Sequence, residues 1–249
     1  EALKVHDHSH SVYTNWDFWG DSGDGTDDVW FMTGYPHLTN EHSTNIRTVY
    51  QLQMMALDLD ASYILANDID ATETSQWNWD PSAGGGSGAY LGFDPVGDDV
   101  SPFTGDLNGQ SHRIEGLILN RPLEDYVGLF GFVSTSTIEN VGVTTGDTFG
   151  QNHVGVLVGR SENSTISSCY AISDNLVATD YAGGLVGSNL GGTIETSYAE
   201  VAAGSGGIPN VFFGRTLIVL WANGVDATVG GLVGENDGGA ISLSYVLTH

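Results

Sequence analysis

Positive charge is nearly absent from this chain. Six Lys and Arg stand against 31 Asp and Glu in 249 residues, a formal net charge of −25. Such a surface repels phosphate, whose binding needs clustered Lys and Arg, and it disfavours anionic membranes, so the sequence argues against nucleic acid and membrane insertion. Cysteine is scarce too: Cys169 is single, which excludes an internal disulfide framework. No apolar run has the length of a membrane-spanning helix, and no signal peptide is seen. The chain opens on Glu1 rather than Met, which reads as a processed secreted protein or an excised unit.

Catalytic signatures are missing as well. There is no H-E-x-x-H, no G-x-S-x-G and no P-loop. The six basic residues (Lys4, Arg47, Arg113, Arg121, Arg160 and Arg215) form no cluster in the sequence that could act as a lyase base beside Ca²⁺. Paired carboxylates about 5–10 Å apart would hydrolyse a glycosidic bond, but among 31 acidic residues such a pair arises by accident. The expectation is a non-enzyme, with a carbohydrate-active enzyme as the remote alternative.

What the chain has is aromatics and repetition. Six Trp, ten Tyr and nine Phe are spread along it, while charged residues make up only 15%, so it is a folded chain with an acidic surface rather than a disordered acidic tail. The segment "AGGLVGSNLGGTIETSYAE" (182–200) recurs as "VGVLVGRSENSTISSCYA" (154–171), "VGGLVGENDGGAISLSYV" (229–246) and, in weaker form, "VGLFGFVSTSTIENVGV" (127–143). Gly131, Gly159 and Gly187 are 28 apart, as are Ile138, Ile166 and Ile194. Gly234 and Ile241 follow after 47, one period plus a 19-residue insertion. Leu129, Leu157, Leu185 and Leu232 form another column, and Tyr170, Tyr198 and Tyr245 a third. Runs of glycine make helical repeats costly. Short β-rich segments at a fixed period predict an all-β parallel β-solenoid of about 28 residues per coil, whose apolar columns fill the interior. Glycines would serve corners of positive φ or close approach of neighbouring coils. Cys169 aligns with Val141, Ser197 and Ser244 and reads as a small packed residue.

"GGLVGSNLGGTIETSYA" and "GGLVGENDGGAISLSY" resemble the GLUG motif of bacterial secreted and surface proteins. The run "YQLQMMALDLDASYILANDIDA…GFDPVG…FTGDLNGQSHRIEGLILN" (50–120) is similar to the coils that precede GLUG arrays in filamentous-haemagglutinin-like adhesins. The resemblance implies a right-handed parallel β-helix with a helical turn near 50–60. It divides the chain into an N-terminal extension (1–49) and a solenoid (50–249) with an insertion at 204–226. In that family an aromatic segment like "NWDFWGDSGDGTDDVWFMTGYPHL" (15–38) tends to follow an array, whereas here it precedes one.

Three stretches are candidate sites. His6, His8 and His10 alternate, so on a strand they share one side and could ligate Zn²⁺ or Cu²⁺; a solvated polar arm is the plainer reading. Asp21, Asp24, Asp27 and Asp28 surround two glycines in a loop of Ca²⁺-binding composition, without EF-hand spacing, and an acidic turn explains them equally. Asp58/Asp60 and Asp68/Asp70 alternate with apolar residues and read as outward strand positions. The insertion "IPNVFFGRTLIVLWANGV" (208–225) predicts a hairpin around "GRT". Its Val211, Phe212, Phe213, Leu217, Ile218, Val219, Leu220 and Trp221 form either a lid over the coils or an exposed interface. Asn163 lies in an N-S-T sequon.

The expected role is that of an extracellular, cell-surface structural or adhesive module, whose partners are neighbouring modules, other copies of itself, or a glycan or cell surface. The alternative is a subunit that stacks head to tail into a filament.

Overall fold

Ile138, Ile166 and Ile194, 28 residues apart in sequence, are neighbours in space. In the computed structural model, Thr137–Glu139, Thr165–Ser167 and Thr193–Glu195 pair in parallel with the three isoleucines opposite one another. All three are fully buried. The structure describes residues 16–21, 23–201, 211–213, 216–218, 220–222 and 229–247. The chain is all-β, built of parallel sheets with a few short helical turns.

Successive 28-residue passes visit four sheets in the same order. Asn152–Gly155 lies in a three-stranded sheet and Val158–Glu162 in a four-stranded "valine" sheet. Thr165–Ser167 then enters a seven-stranded "isoleucine" sheet, and Tyr170–Ala178 a seven-stranded "tyrosine" sheet. The next pass repeats the order with Asp180–Gly183, Val186–Leu190, Thr193–Glu195 and Tyr198–Val201. The isoleucine column continues through Leu107 and Tyr63, both buried, so earlier and less repetitive sequence joins the same interior. Each such side chain contributes about 1.5–3 kcal/mol by leaving water. The first strand of this sheet is Asn45–Ile46, ahead of the helical turn at Val49–Gln53. Thr48 caps that turn by accepting the Gln51 N–H, and the segment tightens into a 3₁₀ turn at Met54–Leu57.

The corners are turned chiefly by non-glycine residues in the left-handed region. One column runs Thr135, Asn163, Gly191, Gly238; a second runs Asn140, Ser168, Thr196, Leu243; a third runs Tyr126, His153, Tyr181. Most of the repeat's glycines answer the other need, close approach. A Cβ on Gly159 would sit 2.7 Å from the Gly131 carbonyl oxygen, one on Gly187 2.5 Å from that of Gly159, and one on Gly234 2.5 Å from that of Gly187.

A hydroxyl ladder serves the residue after Thr135, Ser168 and Thr196, corners of the first two columns. Ser164 Oγ accepts the Ser136 N–H at 3.1 Å, Ser197 Oγ accepts the Cys169 N–H at 3.1 Å, and Ser244 Oγ accepts the Ser197 N–H at 3.3 Å. Each hydroxyl donates to the carbonyl two residues before it: Glu162, Glu195 and Ser242. Cys169 occupies one rung, its thiol directed at the Ser167 carbonyl 3.2 Å away and its pKa pushed up to about 12 by burial.

Asp58 and Asp60 do not lie on a strand, because the helical turn ends at Asp58 and the strand begins only at Ser62. The two carboxyls meet each other there, and their hydrogen bond raises the Asp58 pKa. Asp70 does end a strand, exposed, whereas Asp68 precedes it and holds His112 and Arg113.

Candidate functional site

The acidic loop is organised by a residue that its composition did not single out. Asp17 accepts the N–H of Asp27 at 2.8 Å and of Asp28 at 3.1 Å. Asp24 accepts the Phe18 N–H, Asp28 the Gly20 N–H and Asp21 the Gly23 N–H. Gly25 leaves room for the Asp17 carboxylate, since a Cβ there would fall 2.1 Å from Oδ2 and displace that side chain. The four predicted aspartates therefore share one loop, where the carboxylates of Asp21, Asp24 and Asp28 hold backbone donors and Asp27 donates its own N–H to Asp17. Among the described residues no three His, Cys, Asp or Glu side chains form a group able to hold a metal ion. His6, His8 and His10 lie outside the described residues.

The insertion contains the predicted hairpin: Val211–Phe213 pairs antiparallel with Thr216–Ile218. Leu220–Ala222, carrying Leu220 and Trp221, belongs instead to the main architecture and pairs in parallel with Leu176–Ala178. The register offset is 28 at Ser173 opposite Val201, 44 at Leu176 opposite Leu220 and 47 at Gly183 opposite Gly230. Most of the extra length is thus inserted inside one strand's partner, between residues 201 and 220. Val219 lies outside the described residues.

A side-chain column of the valine sheet meets one from the three-stranded sheet. Phe132, Arg160, Ser188 and Glu235 are successive in register. The Arg160 guanidinium lies 4.9 Å from the Phe132 ring centroid. Beside them Tyr126, His153 and Tyr181 stack at 5.2 and 4.7 Å, with interplanar angles of 6° and 1°. His153 Nδ1 and Ser188 Oγ are 2.8 Å apart and tie the columns together. This Ser–His pair has hydrogen-bond geometry that sequence spacing hides, yet Ser188 is fully buried and its hydroxyl does not meet solvent. Burial, then the charge of Arg160, holds His153 below its ordinary pKa. Burial together with Asp237 and Asp180 raises Glu235.

A groove of about 870 Å³ opens between the turns 94–101 and 121–126 and the aromatic N-terminal segment. Its floor is Arg121, only 3% exposed. The guanidinium donates to the carbonyls of Phe93 and Gly92 and, through Nη1, to Glu124 at 2.8 Å and Asp94 at 3.0 Å. Gln53 fixes Asp94 through both its backbone N–H and its carbonyl, at 2.9 Å each. Trp19 and Tyr126 stand in the wall, and Asp98, Asp99 and Asp125 complete the lining. The site is not evident in the sequence, because its segments (19–20, 56–59, 94–101 and 121–126) are scattered along the chain and share no pattern.

The chain is 36% identical over 107 residues to Halomucin of Haloquadratum walsbyi, covering 41% of this chain and 1% of that protein. It is 32% identical over 93 residues to a putative Gly-rich membrane protein of Evansella cellulosilytica, covering 35% of this chain and 10% of that protein. The chain thus spans a small fraction of the length of either relative. No family model matches the chain and no solved structure matches it. Among the described residues no helix is long and apolar enough to cross a membrane.

Proposed function

We propose that this chain is a β-solenoid module, a right-handed parallel β-helix of GLUG-type repeats, with a structural or adhesive and non-enzymatic role at a cell surface. The observation that carries this reading is the parallel pairing of Ile138, Ile166 and Ile194 at a constant 28-residue offset. One coil cannot enclose a core by itself; stacking identical coils supplies it and leaves a long outer surface free to vary. The acidic surface suits exposure to solvent, and the similarities to Halomucin and to a putative Gly-rich membrane protein support a place at the cell surface.

A second reading is a subunit that assembles into filaments through the face of the last described strands. Ile241 is 44% exposed and Tyr245 52%, whereas Ile194, opposite Ile241, is fully buried. That face would take a further coil from whichever chain supplies it. Sedimentation and negative-stain electron microscopy of the purified chain separate the two readings. Isolated short rods support the module, filaments support the subunit, and round particles of globular dimensions contradict both.

A further inference from the structure

We propose that the groove floored by Arg121 binds a basic peptide segment through its Lys or Arg side chains. The lining carries five carboxylates against one guanidinium. Asp94 and Glu124 are committed to Arg121, which leaves Asp98, Asp99 and Asp125 to face a ligand. Two of these are already fixed, Asp98 by its own turn and Asp125 by Asn152 of the next pass. Asp98 Oδ1 accepts the N–H groups of Val100 and Ser101, at 2.9 and 2.7 Å, and Asp125 Oδ1 accepts the N–H and side-chain amide of Asn152, at 3.1 and 2.7 Å. Carboxylates held before binding lose little freedom when a cation arrives.

The rest of the lining suits the stem that carries such a cation. Trp19 and Tyr126 line the groove with aromatic surface suited to an ammonium or guanidinium, and Leu59 and Leu123 offer apolar surface to its methylenes. A single metal ion fits poorly, since no three acidic side chains among the described residues converge on one point. Charge distributed along an open groove matches a ligand whose own charges are spaced along a chain. None of the lining residues belongs to a strand of the repeat, so peptide binding there stands independently of the solenoid reading.

The test is calorimetric titration of the whole chain with an acetylated, amidated peptide bearing three lysines, at about 0.15 M salt to screen diffuse charge. The variant Asp98→Asn/Asp99→Asn/Asp125→Asn keeps both fixed oxygen acceptors and removes three charges. The matched control Asp147→Asn/Glu162→Gln/Glu195→Gln removes three charges elsewhere. The expected result is roughly a tenfold loss of affinity for the groove variant and less than twofold for the control. Trp19→Ala should weaken binding as well, with unchanged circular dichroism. Equal losses in groove variant and control would reduce the effect to bulk charge and overturn the proposal. So would no binding of the peptide by the parent chain, or a neutral oligosaccharide binding in its place.

Discussion

Tyr170 and Tyr198 are 28 residues apart in sequence, and their rings stack with centroids 5.2 Å apart at 10°. Tyr245 continues the stack at 5.3 Å and 7°. This spacing is slightly wider than the ~4.8 Å between hydrogen-bonded strands, so the rings follow the backbone ladder and add stacking to it. Gly142 closes the other end, because the Tyr170 ring lies where its Cβ would be, 2.0 Å from the ring's Cζ.

Close approach of neighbouring passes makes the glycine column intolerant. Gly187→Ala should destabilise by about 1–3 kcal/mol, because its Cβ would meet the Gly159 carbonyl oxygen, which is part of the backbone and cannot swing away. Gly146→Ala, whose Cβ meets nothing within 4 Å, is the control and should change stability by about 0.5 kcal/mol at most. Urea denaturation of the two variants measures the contrast.

Leu243 sits in the left-handed corner column at φ 48° and is 83% exposed. It therefore bears the strain of that conformation and has little packing to lose. Leu243→Gly should raise the unfolding free energy by a few tenths to about 1 kcal/mol. A loss of stability would show that the side chain makes contacts its exposure conceals.

Ser197 belongs to the hydroxyl ladder, accepting from the Cys169 N–H and donating to the Glu195 carbonyl, fully buried. Ser197→Ala leaves the Cys169 N–H without that acceptor and should cost about 1–3 kcal/mol. Ser197→Cys, the residue that the preceding pass uses, should cost less in the same denaturation experiment.

His153 gives the chain a pH-dependent term. Burial and Arg160 hold it below its ordinary 6.5, with Asp125 and Asp180 opposing them in part. The folded chain resists a proton that the unfolded chain accepts, so this contribution is intact above pH 6.5 and is lost as the pH falls below it toward the folded pKa. His153→Phe keeps a flat ring between Tyr126 and Tyr181. Its unfolding free energy relative to the parent should be constant above about pH 7 and should move in the variant's favour as the pH falls below 6.5. A difference that is flat across the whole range would contradict the assignment.

The period itself was readable because the repeat is written in residues that serve one purpose in every pass. Isoleucine fills the interior, glycine permits close approach, and tyrosine stacks. The corners were less legible, since Asn, Ser, Thr, Tyr, His and Leu all occupy left-handed positions and no single residue type marks them. Asp17 was overlooked for a similar reason: its role depends on two N–H groups ten and eleven residues away. Leu220 and Trp221 read as hairpin because the apolar run is continuous, whereas the backbone returns to the tyrosine sheet at Leu220. The groove unites segments with no common sequence pattern, so only the folded chain brings Arg121, Asp94 and Glu124 together.

Net charge adds a dependence on solution conditions. With −25 formal charges, mutual repulsion opposes the folded state, and it is screened as the Debye length falls from about 10 Å at 0.1 M salt to 3 Å at 1 M. The melting temperature should rise steadily over that range with sodium chloride. A melting temperature that is flat or falling would mean that the acidic groups are already compensated.

The most direct measurement of the repeat architecture is removal of one period. Deleting residues 152–179 joins Gln151 to Asp180, the register partner of Asn152, so every column stays aligned and loses one member. That chain should unfold cooperatively with native-like circular dichroism and a smaller denaturant slope, because it buries less surface. Deleting 152–165 instead puts each following strand on the wrong sheet and should abolish the cooperative transition. If the full-period deletion is as damaging as the half-period one, the passes are not interchangeable layers and the account fails.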